Sequence, residues 1–229
     1  MKHRARNLVS GWLAASLVCA AAGCDGPAFL AKAISGPPKV KAKYTLPDQP
    51  TLILIDDPEF MLGGPALPNV VANNVAYHFR QQKKPVLEAP MISQQALDTY
   101  AAEKGEAFAQ TPIDRVGRDL GAATVIHATI KNVDRNFDVT VYRPKVTVEV
   151  KVIDAAEGKR LWPELGKLVD SSQPTSGYIL ITEVPFKDTG DTNPGTRRVL
   201  DRELAEQVGL DISRLFYDWK PPEAGSKLP

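Results

Sequence analysis

Between Val139 and Ile153 apolar and polar residues alternate, and no other stretch limits the possible fold so much. Val146, Val148, Val150 and Val152 fall on one face, and Thr147, Glu149 and Lys151 on the other. Period two belongs to a β-strand, and one apolar face calls for a packed layer on that side only. The expected strand is half solvated, with Glu149 in water. Asp154-Ala-Ala-Glu-Gly158 reads as a turn, after which Lys159 to Trp162 can pair back as a hairpin.

The flanking segments switch between periods two and 3.6. Thr51 to Asp56 is a continuous apolar run of strand length, which predicts a strand buried on both faces. Val71, Val75 and Phe79 set helical spacing over Asn69 to Lys84, with Lys83 and Lys84 at its C-terminus and Pro85 as the stop. Val86 to Ala89 is the expected second strand. Ser93 caps a helix that Ile92 can staple to Leu97 and that Gly105 ends. Thr111-Pro112 opens another, with Ile113, Val116 and Leu120 as its stripe and Gly121 as its end. Ala123 to Val133 and Tyr178 to Val184 read as strands, and Pro185 to Gly195 as a polar loop. Leu200, Leu204, Val208, Ile212 and Phe216 mark a last helix over Thr196 to Tyr217, despite Gly209. Phe216, Tyr217 and Trp219 are expected to cap the core. The expected fold class is α/β: a mixed β-sheet packed by amphipathic helices in a sandwich, with a C-terminal helix.

Upstream of this domain the chain carries an address. Lys2, Arg4 and Arg6 precede an apolar stretch from Leu8 to Ala22, broken by Ser10, Gly11 and Ser16. That stretch is short of the ~20 apolar residues a membrane-spanning helix needs. Ala21-Ala22-Gly23-Cys24 resembles a bacterial lipobox, although that pattern prefers Leu where Ala21 stands. Residues 1–23 are therefore expected to be a lipoprotein signal peptide, with Cys24 the lipid-attachment residue. Cleavage after Ala22 with soluble export, and a retained anchor helix, are the other readings. Lipidated this way, the chain is anchored to a bacterial cell membrane, facing the periplasm, without spanning it. Residues 24–50 read as a Pro/Gly/Lys tether containing Lys39, Lys41 and Lys43, residues 51–220 as one α/β domain, and 221–229 as a disordered tail.

Removing the leader takes the formal net charge from +1 to −2, because its three cations have no acidic counterpart. A surface so nearly neutral offers nucleic acid no electrostatic hold. A lipobox cysteine, a linker, strand–helix–strand–helix, then long strands ending in Asp154-x-x-x-Gly158-x-x-x-Trp162 together resemble a group of envelope lipoproteins. The group comprises the curli secretion lipoprotein CsgG, the peptidoglycan-synthase activator LpoB and the N-terminal domain of TolB. The resemblance covers about residues 51 to 165. It implies a non-catalytic role in envelope assembly or protein contact, and it permits a homo-oligomeric, secretion-associated ring. Such an inference is an analogy of fold.

Chemistry has few candidates. His78 and His127 are single histidines on an expected helix and strand, and each reads as a packed residue before it reads as a ligand. With Cys24 the one cysteine beyond the leader, neither a thiol nucleophile nor a zinc site is expected. Asp56, Asp57 and Glu59 stand at the C-terminal end of the first strand, where α/β sheets bind ligands, so a tethered enzyme using a divalent ion there is the alternative. The plainer reading is a strand-ending turn at Asp57-Pro58. Asp188, Asp191 and Asn193 partly mimic a calcium loop, but Val199 stands where its bidentate glutamate belongs. No metal or other cofactor is expected. The expected partners are the membrane and another envelope protein.

Overall fold

The computed structural model describes residues 38–138, 141–164, 177–184 and 194–222. The chain divides into two compact units, one of Lys41–Asp218 and one of Met1–Val40 with Trp219–Pro229. In the latter, Val40 and Trp219 form an antiparallel bridge with N–H···O distances of 2.8 and 3.0 Å. The sheet, the helices and the core belong to Lys41–Asp218.

Strand β1 (Thr51–Asp56) runs parallel to β2 (Thr124–Asp138), in register from Thr51↔Thr124 to Asp56↔Thr129. β2 pairs antiparallel with β3 (Val141–Asp154), and the register slips between Ile130 and Asn132, so Lys131 is the extra residue of a bulge. The other edge of β3 takes β4 (Arg160–Trp162) at its end and β5 (Tyr178–Glu183) along Lys145 to Val150. The sheet is mixed, as expected. Beyond Lys145 the β2–β3 ladder runs on from Arg135↔Pro144 to Asp138↔Val141; Val184, just past β5, still donates to Pro144 O at 3.2 Å, and past that rung no third strand accompanies the ladder among the described residues.

Among the described residues four α-helices pack on this sheet: α1 (Leu67–Gln81), α2 (Gln94–Lys104), α3 (Ile113–Asp119) and α4 (Pro194–Ser213). The expected caps of α2 are present. Ser93 Oγ accepts from the Ala96 amide at 3.2 Å, and Gly105 closes the helix at φ +55°. α1 and α4 cover one face of the sheet. Val71, Val75 and Phe79 meet Leu204, Val208 and Ile212 over Ile53, Ile126 and Val146, Val148, Val150 and Val152 of β3. Each such side chain contributes roughly 1.5–3 kcal/mol when fully buried, so this layer dominates the fold. On the opposite face, Leu97 and Tyr100 of α2 and Val116 of α3 pack over Leu52 and Val125. Phe216 is buried and meets Phe79 edge to face, as expected for a core cap.

Four expectations change. Val86 to Ala89 is not a strand, because the amides of Glu88 and Ala89 both donate to Asp48 Oδ1 at 2.8 Å. α1 ends at Gln81, so Lys83 and Lys84 lie beyond it. Pro112 occupies the cap position of α3, not its first helical residue. The packed chain also begins upstream of Thr51: Leu46 is buried in the main core and Tyr44 stacks on Trp162 at 5.9 Å.

Candidate functional site

α2 and α3 leave part of the second sheet face uncovered by helix, and the polar side chains of three strands collect there. The strand registers build the group in two rows. Asp56, Thr129 and Glu149 pair across β1, β2 and β3, and Leu54, His127 and Lys151 form the adjoining row.

Glu149 is the centre of this group. It is 2% exposed, with Oε2 2.9 Å from Lys131 Nζ and Oε1 3.3 Å from Lys151 Nζ. A carboxylate out of water needs such neutralisation. Its burial corrects the expectation that this face of β3 is simply solvated. The residue before β5 closes over it. At Gly177 a Cβ would stand 2.6 Å from Glu149 Cγ, so glycine alone fits.

His127 is buried beside the carboxylate's lysines. Its Nε2 lies 3.5 Å from Thr129 Oγ1 and 4.0 Å from Asp56 Oδ2. Burial drives its pKa down to about 4; Lys151 and Lys131 push the same way, and Asp56 and Glu149 oppose them. The ring is neutral at pH 7, so its approach to Asp56 is no ion pair there. Thr129 and Asp56 also share one ring nitrogen. A nucleophile–base–acid relay sets the acid on the other nitrogen, and this geometry does not.

The acidic cluster at the end of β1 comes apart in the structure. Asp57 turns inward, 5% exposed, and its carboxylate caps its own loop, taking the Met61 amide at 2.8 Å and the Leu62 amide at 3.0 Å. Those bonds hold Phe60 in a left-handed conformation at φ +53°. Asp56 stays on the sheet face near His127, and Glu59 is exposed in the loop. The strand-ending turn is the reading the geometry favours. Among the described residues no three His, Cys, Asp or Glu side chains are grouped to hold a metal. His78, half-buried on α1, meets Tyr77 edge-on at 5.2 Å, and burial followed by Arg214 lowers its pKa. Cys24, Asp188, Asp191 and Asn193 lie outside the described residues.

Sequence reasoning missed Glu149, Lys131 and Lys151 as a group. Alternation does place Glu149 and Lys151 on one face of β3, but nothing local signals that β2 sets Lys131 beside them or that Gly177 passes over them.

No family model matches this chain, and no curated protein does. Among solved structures it is similar to lipoprotein GNA1162 from Neisseria meningitidis, at 10% identity over 70% of this chain and 99% of that one, with a TM-score of 0.41. It is also similar to the PelC dodecamer from Paraburkholderia phytofirmans, at 12% identity over 79% and 94%, TM-score 0.35. A third is the hypothetical protein CT253 from Chlamydia trachomatis, at 13% identity over 73% and 91%, TM-score 0.35. With every one of these scores below one half, no residue role or activity passes from them to this chain.

Proposed function

We propose that this protein is a bacterial cell-envelope lipoprotein, held to a membrane through lipid on Cys24 and working by non-covalent contact with another envelope protein. The observation that carries the reading is the cationic leader closed by Ala21-Ala22-Gly23-Cys24. Two acyl chains on that thiol give lasting attachment where one gives marginal attachment. Among the described residues no helix is long and apolar enough to cross a membrane. Kinship with the CsgG, LpoB and TolB group belongs to this proposal too.

The domain's charged groups support contact over catalysis. Glu149 is neutralised by two lysines, Asp57 caps a loop, and His127 is neutral with no relay behind it. The test of the anchor is Cys24→Ser in a bacterium fed labelled palmitate. The label should disappear and the protein should leave washed membranes. Retention of the unlabelled variant at the wild-type level would overturn the reading.

A further inference from the structure

We propose that the cleft between α1 and α2 binds short peptides whose amino and carboxyl ends are both free. The inference goes beyond the contact role above and does not depend on the lipid anchor. Helix periodicity builds the walls. Asn69, Asn73 and Arg80 recur at i, i+4 and i+11 of α1, so they share one face, and Gln95 and Asp98 of α2 line the cleft opposite them. The space between is about 420 Å³, within the ~300–1,000 Å³ of small-molecule sites. Ala76 leaves room between Asn73 and Arg80, and the partly exposed Met91 adds apolar lining.

Opposite charges stand at its two ends, and neither is answered. Asp98 accepts from the Asn69 side-chain amide at 2.9 and 3.2 Å, which places it at the start of the α1 wall. Arg80 lies eleven residues further along α1, about 16 Å at 1.5 Å per residue. Both residues are exposed, and neither has an ion-pair partner among the described residues. A carboxylate offers about four lone-pair sites, so Asp98 can take an ammonium besides Asn69. Between the ends, Asn73 and Gln95 are exposed, and their side-chain amides have no hydrogen-bond partner among the described residues. Each amide carries donors and an acceptor, the complement of a peptide group.

This separation selects the ligand. A free amino acid carries its two charges within one residue and cannot meet both ends. Three or four extended residues cover ~10–14 Å, and the long Arg80 side chain closes the remainder. An ammonium at Asp98 and a carboxylate at Arg80 then give each uncompensated charge its counterpart, the guanidinium gripping both carboxylate oxygens. A peptide capped at either end leaves one of the two charges unmet.

The test is calorimetric titration of the full-length protein in detergent micelles with tetra-alanine, beside its N-acetylated, C-amidated and doubly blocked forms. Tetra-alanine should bind most tightly, and each single block should weaken binding on the order of threefold, the scale of an exposed ion pair. Arg80→Gln should abolish the penalty for amidation and keep that for acetylation. Asp98→Asn, which retains an acceptor for Asn69, should do the reverse. Both positions are exposed, so the two variants keep the fold, and circular dichroism verifies it. Equal affinity for the free and doubly blocked peptides, a penalty unmoved by its variant, or no binding up to about 10 mM would overturn the proposal. The titration does not involve Cys24, so the anchor and the peptide site fail independently.

Discussion

Lys131 reaches Glu149 from the neighbouring strand, its Nζ 2.9 Å from an oxygen of a carboxylate that is 2% exposed. Lys131 follows His127 and Thr129 on the same face of β2, and Lys151 holds the second oxygen. Replacing Lys131 and Lys151 together by Met strands a buried negative charge. The double variant should lose about 3 kcal/mol, less whatever water entering beside the half-exposed Lys131 restores. Adding Glu149→Met should recover most of the loss. Urea unfolding of the three proteins measures it, and a double variant as stable as wild type would refute the pairing.

His127 gives the domain a pH dependence of known sign. Its pKa is about 4 in the fold against an ordinary 6.5, with Asp56, Lys151, Glu149 and Lys131 facing it. Between those values the unfolded chain binds a proton that the folded chain refuses. Stability should therefore be level above pH 6.5 and fall as pH drops toward 4, by on the order of 3 kcal/mol from this group. His127→Asn should flatten that part of the profile. A slope identical in the variant would assign it elsewhere.

Gly209 sets how closely α4 approaches α1. A Cβ there would stand 2.7 Å from Val71 O and 2.7 Å from Asn74 Cβ. Gly209→Ala should cost about 1–3 kcal/mol by forcing the helices apart. Gly64→Ala, where nothing lies within 4 Å, should stay within about 0.5 kcal/mol of wild type. Thermal unfolding of both distinguishes a packing requirement from a general intolerance of alanine.

Asp57 and its neighbours should separate by role. Asp57→Ala removes the acceptor for two loop amides and should destabilise by about 1–2 kcal/mol. Asp56→Asn with Glu59→Gln should leave both stability and the cellular phenotype unchanged, since the contact reading gives neither carboxylate a reaction to perform. Loss of the phenotype with the fold intact would revive the metal-dependent alternative.

Local patterns were legible to the degree that local bonds decide them. The run Thr51 to Asp56, the Ser93 cap and the stripe from Leu200 to Ile212 appear where residue spacing places them, whereas the last helix ends at Ser213, short of Phe216 and Tyr217. Val86 to Ala89 misleads because Asp48, some forty residues upstream, takes amides that a strand would have used. Asp56 and Asp57 look like one cluster because they are adjacent, yet alternation at the strand end sends one to the sheet face and the other into its loop. Glu149 looks solvated because its cover, Gly177, is remote in sequence.

The paired strands that continue past Lys145 without β1 or β5 divide this sheet into a stiff end and a soft one. Val146, Val148, Val150 and Val152 lie beneath α1 and α4 in the main core, so their amides should yield to solvent only when the whole domain opens. Among the described residues the rungs from Asn136 to Asp138 answer to one ladder alone and can part by themselves. Whatever meets that end of the sheet meets a surface able to change shape while the helix-covered core beside it stays whole.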